Sequence, residues 1–98
     1  MITELAVLDV ISDRQQEFEQ AFRQAQNLII TQKGYISHEL QKCIETDGRY
    51  LLLVKWQTLD DHTIGFRQSA DYQKWKALLH HFYKPFPVVE HYQALSLK

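Results

Sequence analysis

The chain of 98 residues has a mass of 11.7 kDa, enough for one hydrophobic core and too little for two. Eleven Lys and Arg residues against twelve Asp and Glu residues give a net charge of -1, without the basic excess of nucleic-acid-binding domains. A single cysteine excludes an internal disulfide. The sequence shows neither a signal sequence nor an apolar run long enough to span a membrane. We therefore expect one cytoplasmic domain over residues 1–98, with no nucleic-acid or membrane partner.

Residues 2–11 alternate as a strand does, and both faces are apolar. Leu5, Val7 and Ile11 fall on one face. The other face carries Ile2, Ala6, Leu8 and Val10. A strand that is apolar on both faces is typically covered on both sides of its sheet.

An amphipathic helix is predicted next. Ser12 is positioned as its N-cap, and Gln15, three residues later, completes a capping-box pattern. Its apolar stripe recurs at helical spacing and comprises Phe18, Ala21, Phe22, Ala25, Leu28 and Ile29. Gly34 is expected to stop the helix.

The central part of the chain reads as a β-hairpin. Residues 35–45 alternate as a strand in which Ile36, His38 and Leu40 share a face. Residues 46–49 form a turn, because Asp-Gly readily adopts the positive φ that a hairpin turn needs. The antiparallel partner is predicted over residues 50–57, again apolar on both faces.

The last third of the chain predicts an interrupted helix and a final strand. A short helix over residues 58–67 is separated by Gln68-Ser69 from a second helix that begins near residue 71. Prolines end that helix, and residues 88–97 form the last strand.

The order of elements is therefore βαββαβ. It predicts an α+β, ferredoxin-like fold whose two helices cover one face of a four-stranded antiparallel sheet. Because the first and third strands are apolar on both faces, the uncovered sheet face is expected to pack against a second copy of the chain.

Histidines and aromatic residues are the candidates for chemistry. His38 reads equally well as an interior histidine or as a polar group of a pocket, while His62 and His91 fall in a short helix and on the last strand. Aromatic residues crowd the second half of the chain, and an interrupted helix above them is a plausible lid over an apolar ligand cavity, although core packing also explains most of them. No Cys pair or His-Glu-x-x-His pattern indicates a metal site.

Five segments carry a resemblance to a known family, and the similarity covers essentially the whole chain. They are residues 34–40 (GYISHEL), 50–56 (YLLLVKW), 58–62 (TLDDH), 66–69 (FRQS) and 72–75 (YQKW). In them the sequence resembles the antibiotic biosynthesis monooxygenase (ABM) domain family of the dimeric α+β barrel superfamily. The resemblance implies a homodimer with a pocket between the sheet and the helices of each subunit.

Catalytic members of that family oxidise phenols or anthrones with O2 and use no flavin, haem or metal. By resemblance, the partner of this chain is a small aromatic molecule, and no cofactor is expected. A base is then expected among His38, His62 and His91, with Arg67 stabilising an anion. The expected substrate-binding residues are Trp56, Phe66, Tyr72, Trp75, His80 and Tyr83.

Two alternatives stand beside this interpretation. A similar branch degrades haem with an Asn, a Trp and a His, whose places here fall near Leu8-Asp9, at Phe66 and at about Lys76, and all three residues depart from the pattern. His80, one helical turn beyond Lys76, remains as an axial ligand in this alternative. The second alternative is that the expected dimer is a ligand-binding or stress-associated module without turnover, because fold does not dictate function.

Overall fold

The computed structural model describes residues 1–97 and confirms the α+β, ferredoxin-like prediction. All neighbouring strands are antiparallel, in the order β2-β3-β1-β4. The strands are β1 (Ile2–Asp9), β2 (Tyr35–Lys42), β3 (Arg49–Trp56) and β4 (Val89–Tyr92). The helices are α1 (Gln15–Ile29) and α2 (Ala70–Leu79), with 3-10 turns at Ser12–Arg14 and His80–Phe82 and a π-helical segment at Asp61–Phe66.

The core lies between one face of the sheet and the helices. The apolar stripe of α1 packs there through Phe18, Phe22, Ala25 and Ile29. Alternate residues of β3 face the same core, because successive side chains of a strand point to opposite faces. These β3 residues are Tyr50, Leu52, Val54 and Trp56, all buried.

The capping box predicted for the first helix is wrong. The Ser12 side chain makes no capping hydrogen bond, and a 3-10 turn precedes α1. Gln15 Nε2 instead donates to the Ser12 carbonyl and to Asp47 Oδ1, each at 3.1 Å. The polar side chain at position 15 therefore ties the helix start to the β2–β3 connection. The predicted stop is also displaced: α1 ends at Ile29, and Gly34, with φ of 81°, occupies the turn before β2.

All four strands have boundaries that differ from the sequence prediction, β3 by one residue at each end. β1 ends at Asp9, β2 ends at Lys42, and β4 covers only Val89–Tyr92. β4 is short because it pairs with β1 only from Thr3 to Ala6. The predicted turn does contain a positive φ, 82° at Gly48. In β2 a register shift between Tyr35 and Ser37 leaves Ile36 exposed, so Ile36 does not share the core face with His38.

The predicted interruption between the two C-terminal helical pieces is confirmed. After the π-helical segment, the Ser69 side chain accepts the backbone N–H of Tyr72 at 3.1 Å and caps α2. Within the segment, His62 and Phe66 are both buried. The interruption therefore points both side chains at the sheet, beneath the start of α2.

The opposite sheet face carries an apolar patch that no helix of the described chain covers. Leu5 lies opposite Leu53 and Val7 lies opposite Leu51, in adjacent strands β1 and β3. Leu5, Leu51 and Leu53 are half-buried, and Val7 is exposed. Among residues 1–97 no helix has the length and apolar character to cross a membrane.

Candidate functional site

A cavity of about 300 Å³ lies between the core face of the sheet and the C-terminal helical layer. Strands β1, β3 and β4 supply one wall, and the π-helical segment, α2 and the proline-rich segment before β4 supply the other. Its aromatic lining comprises Phe66, Tyr72, Trp75, Tyr83 and Phe86. Its aliphatic lining includes Ala6, Leu8, Leu52, Leu79 and Val89. The lining is therefore mostly apolar and aromatic, with few polar groups, as is common for small-molecule sites.

The aromatic wall is held rigid by edge-to-face packing. The Phe66 ring meets Tyr72 at 5.3 Å and Trp75 at 5.7 Å between centroids, both nearly perpendicular. Trp56 is fully buried behind this wall and stacks on His62 at 5.4 Å. Trp56 therefore supports the site and does not line it.

One carboxyl group, that of Glu4, lies buried in the cavity wall. Glu4 occupies the core face of β1, the face that also carries Ala6 and Leu8, and its side chain is almost wholly inaccessible. Glu4 Oε1 accepts Trp56 Nε1–H at 3.0 Å and lies 3.3 Å from His62 Nε2. Burial raises the pKa of Glu4 from 4.5 to about 7, against the lowering effects of the Trp56 hydrogen bond and of Arg67.

His62 connects this carboxyl group to a second histidine. Its ring is buried, and His62 Nδ1 lies 2.8 Å from His91 Nε2. Burial, and secondarily the charge of Arg67, lowers the pKa of His62 to about 3. Because burial moves both groups toward their neutral forms, the 3.3 Å contact between Glu4 Oε1 and His62 Nε2 is not an ion pair.

Arg67 is the single Arg or Lys among the described residues that line the cavity. It follows the π-helical segment, where its backbone N–H donates to the His62 carbonyl at 3.0 Å. Within residues 1–97 no carboxylate oxygen lies within 4.0 Å of its guanidinium. Its charge lowers the pKa of Glu4, His62 and His91, so it acts on the same polar cluster. The guanidinium is therefore positioned to hydrogen-bond an anion in the cavity.

His80 lies on the other side of the cavity, in the 3-10 turn that follows α2. Its ring packs edge-on against Phe86 at 5.0 Å and lies 5.6 Å from Tyr83. Burial lowers the pKa of His80, and Lys76 adds to the effect. Phe86 is largely exposed, so this aromatic group lies where the cavity opens.

The structure brings most of the predicted site residues to this one place. The residues that line the cavity are His62, Phe66, Arg67, Tyr72, Trp75, His80 and Tyr83. Trp56 and His91 contact its polar cluster from behind.

His38 lies elsewhere, in a surface depression between α1 and β2 that includes Phe22 and Glu19. Its Nδ1 is 2.6 Å from the Tyr35 hydroxyl, and its Nε2 is 2.9 Å from Gln26 Oε1. Both ring nitrogens of His38 are therefore engaged, and the contact with Gln26 ties β2 to α1.

Glu4 is the functional candidate that the sequence reasoning missed. The strand alternation placed Ile2, Ala6 and Leu8 on one face, and Glu4 falls on that same face. A charged residue between apolar residues of a core-facing set is rarely buried without a partner, which is the signal that was present. Over residues 1–97 no cluster of three or more His, Cys, Asp or Glu side chains has a geometry that could hold a metal ion.

Comparisons with known proteins place the chain in a family. The profile of the family described as antibiotic biosynthesis monooxygenase matches residues 1–78. The uncharacterized protein YczJ of Bacillus subtilis (strain 168) is 59% identical over 93 residues, covering 95% of this chain and 98% of that protein.

Two solved structures extend the comparison. A Bordetella bronchiseptica protein assigned as an antibiotic biosynthesis monooxygenase superposes with a TM-score of 0.92 at 37% identity, over 97% of both chains. SnoaB, a cofactor-independent oxygenase from Streptomyces nogalater, shares the fold with a TM-score of 0.80 at 18% identity, over 98% of this chain and 94% of that one. The match over residues 1–78 and these relatives together show that the chain belongs to the antibiotic biosynthesis monooxygenase family.

Proposed function

We propose that the protein is a cofactor-independent monooxygenase that oxidises a small phenolic, quinol or anthrone-like aromatic compound with O2. The observation that carries the proposal is the pairing of two groups in one aromatic-lined cavity. These are a buried carboxyl whose pKa is raised to about 7, on Glu4, and the guanidinium of Arg67. Family membership and the shared fold of SnoaB, a cofactor-independent oxygenase, support the same reaction class.

The chemistry needs only groups that this cavity supplies. Removing a proton from an activated C–H or O–H leaves an electron-rich anion, which Arg67 stabilises and which passes one electron to O2. Recombination of the two radicals forms a C–O bond, and loss of water leaves a carbonyl. For a methylene substrate, the methylene group and O2 become a carbonyl group and water, and the substrate carbon supplies all the electrons that reduce O2. The polar cluster of Glu4 and His62 is where the proton is removed and returned.

The aromatic wall selects the substrate by shape. Phe66 and Trp75 are buried and packed edge-on, so they present a rigid aromatic wall to a flat ring system. We expect polycyclic phenols to bind more tightly than single-ring catechols, because they bury more apolar area.

Oxygen uptake tests the proposal. The purified protein is treated with a chelator and incubated with naphthoquinols, anthrones and catechols, and uptake by heat-denatured protein is subtracted as autoxidation. We expect catalysed uptake with formation of the quinone. Arg67→Gln should lower kcat/KM by roughly a hundredfold. His38→Gln, which removes a histidine outside the cavity, should leave kcat/KM within twofold.

Saturable binding of the same compounds without oxygen uptake above the control would refute the monooxygenase and support the alternative of a ligand-binding module. A Soret band on haem titration that is lost in His80→Ala would instead support the haem-degrading alternative.

We also propose that the apolar patch of Leu5, Val7, Leu51 and Leu53 is the interface of a homodimer. Sedimentation tests this with Leu53→Glu, which places a charge in the centre of the patch, and Gln24→Glu, which places the same charge on the exposed side of α1. We expect the first to sediment as a monomer and the second as a dimer. A monomeric parent protein would refute the interface.

A further inference from the structure

Three ionisable side chains lie in contact with one another in a row across the sheet. Glu4 on β1 and His91 on β4 are cross-strand partners, and both point to the core face. His62 lies above them in the π-helical segment, 3.3 Å from Glu4 Oε1 and 2.8 Å from His91 Nε2. Because the row crosses from the inner strand β1 to the edge strand β4, it connects the cavity with the rim of the sheet.

The two ends of the row lie in different surroundings. Glu4 lines the cavity, whereas His91 is half-buried on the edge strand. His91 Nδ1 makes no hydrogen bond with a described residue, and no buried side-chain nitrogen or oxygen of residues 1–97 lacks a partner. His91 Nδ1 is therefore in contact with solvent. One end of the row meets the substrate cavity and the other meets water.

Two arrangements of the hydrogens allow a proton to pass along the row. With Glu4 ionised, His62 Nε2–H donates to Glu4, and His91 Nε2–H donates to His62 Nδ1. With the proton on Glu4 Oε1, Glu4 donates to His62 Nε2, His62 Nδ1–H donates to His91 Nε2, and His91 Nδ1–H points to solvent. Changing from one arrangement to the other moves one proton between Glu4 and solvent without charging either ring.

We propose that Glu4 is the base that takes the substrate proton, and that His62 and His91 are positioning residues that exchange this proton with solvent at the sheet edge. This inference rests on the proposed function and goes beyond it, because it assigns the base and a proton path. In the first step the substrate C–H or O–H bond breaks, its electron pair stays on the substrate, and an O–H bond forms on Glu4. Release to solvent proceeds with both rings in the Nδ1–H form. The proton on Glu4 Oε1 passes to His62 Nε2, the His62 Nδ1 proton passes to His91 Nε2, and the His91 Nδ1 proton passes to water, so that each ring gains one proton and loses one and no oxidant or reductant is needed.

The groups that face the row leave Glu4 as its titrating member near neutral pH. The π-helical segment contributes His62, whose pKa is lowered to about 3, and is followed by the cationic Arg67. From β4, His91 has a pKa lowered by burial and by Arg67. The helical layer contributes two hydroxyls, because burial raises the pKa of both Tyr72 and Tyr83, so neither ionises in this range.

Histidine ring NMR tests the path without any substrate. Long-range ¹H–¹⁵N spectra of ¹⁵N-labelled protein report which ring nitrogen carries hydrogen, from pH 5 to pH 9. We expect His62 and His91 to change together from Nδ1–H at low pH to Nε2–H at high pH, with a shared midpoint near 7. His38 serves as an internal control, because Gln26 Oε1 accepts from its Nε2–H at every pH.

Glu4→Gln should abolish the tautomer change at both rings and leave His38 unaltered. Constant tautomers of His62 across the range in the parent protein would overturn the path, even if Glu4→Gln does not fold. A change at His91 with none at His62 would overturn it as well.

The result separates the path from the proposed function. Coupled tautomers without oxygen uptake on any substrate would retain the path and refute the monooxygenase. Oxygen uptake without coupled tautomers would support the monooxygenase and refute the proton path. Where a substrate is turned over, we expect Glu4→Gln to lower kcat by about 10²–10⁴-fold. His91→Phe should lower kcat with little change in KM, and should retain an inflection near pH 7 in the profile of kcat, because Glu4 remains the titrating group.

Discussion

Replacing Glu4 by Gln should make the protein more stable at alkaline pH and change its stability little at acid pH. The Glu4 side chain is almost wholly buried, and burial raises its pKa from 4.5 to about 7. Between these two pH values the folded protein binds more protons than the unfolded chain, so the free energy of unfolding falls as pH rises.

The size of the effect follows from the same two values. Between pH 4.5 and about 7 the free energy of unfolding falls by about 1.4 kcal/mol for each pH unit. Ionised Glu4 therefore destabilises the folded state by about 3 kcal/mol at pH 8. His62 acts in the opposite direction, because its pKa is lowered to about 3 and its contribution to stability rises between pH 3 and 6.5. The two contributions offset each other in the parent protein between pH 4.5 and 6.5. The difference between Glu4→Gln and the parent isolates the contribution of Glu4.

Urea unfolding at one protein concentration, from pH 4.5 to pH 8, measures this difference. We expect Glu4→Gln to gain about 3 kcal/mol over the parent across that range. Glu45→Gln, which removes an exposed carboxylate in the β2–β3 connection, should differ from the parent by a constant amount. If Glu4 were instead an ion-pair partner of protonated His62, Glu4→Gln would lose stability as pH rises, and that sign would refute the reasoning.

Three further substitutions test the packing around the site, each by urea unfolding. Trp56→Phe removes the Nε1–H that the buried carboxyl accepts, and should cost about 1–3 kcal/mol; a neutral outcome would show that this hydrogen bond is dispensable. Gly34→Ala should cost about 1–3 kcal/mol, because φ is 81° and a Cβ would lie 2.0 Å from Asp61 Oδ2, whereas at Gly65 the nearest atom is 3.8 Å away and Ala should be tolerated. Leu79→Ala should cost about 2–5 kcal/mol, since Leu79 is fully buried beside the cavity; a cost below about 1 kcal/mol would mean that its surroundings collapse into the space.

The order of the elements and the division of faces could be predicted from the sequence. Period-two alternation and helical spacing depend only on backbone geometry, so the strands, the stripe of α1 and the break before Ser69 are local properties. The same local patterns identified the aromatic residues and histidines as candidates. They did not give strand ends, because the length of β4 depends on how much of β1 it pairs with, from Thr3 to Ala6.

The candidate site itself was decided by the tertiary structure. Alternation states which face of β1 carries Glu4, but only the pairing of β1 with β4 and the path of the π-helical segment bring His62 and His91 to it. The same packing holds His38 on a different surface, against Gln26 of α1. A single sequence pattern describes one element at a time, whereas the burial that raises the pKa of Glu4 is produced by three other elements at once. Which residues carry aromatic and ionisable groups was therefore set by the sequence, and which of them share a cavity was set by strand register.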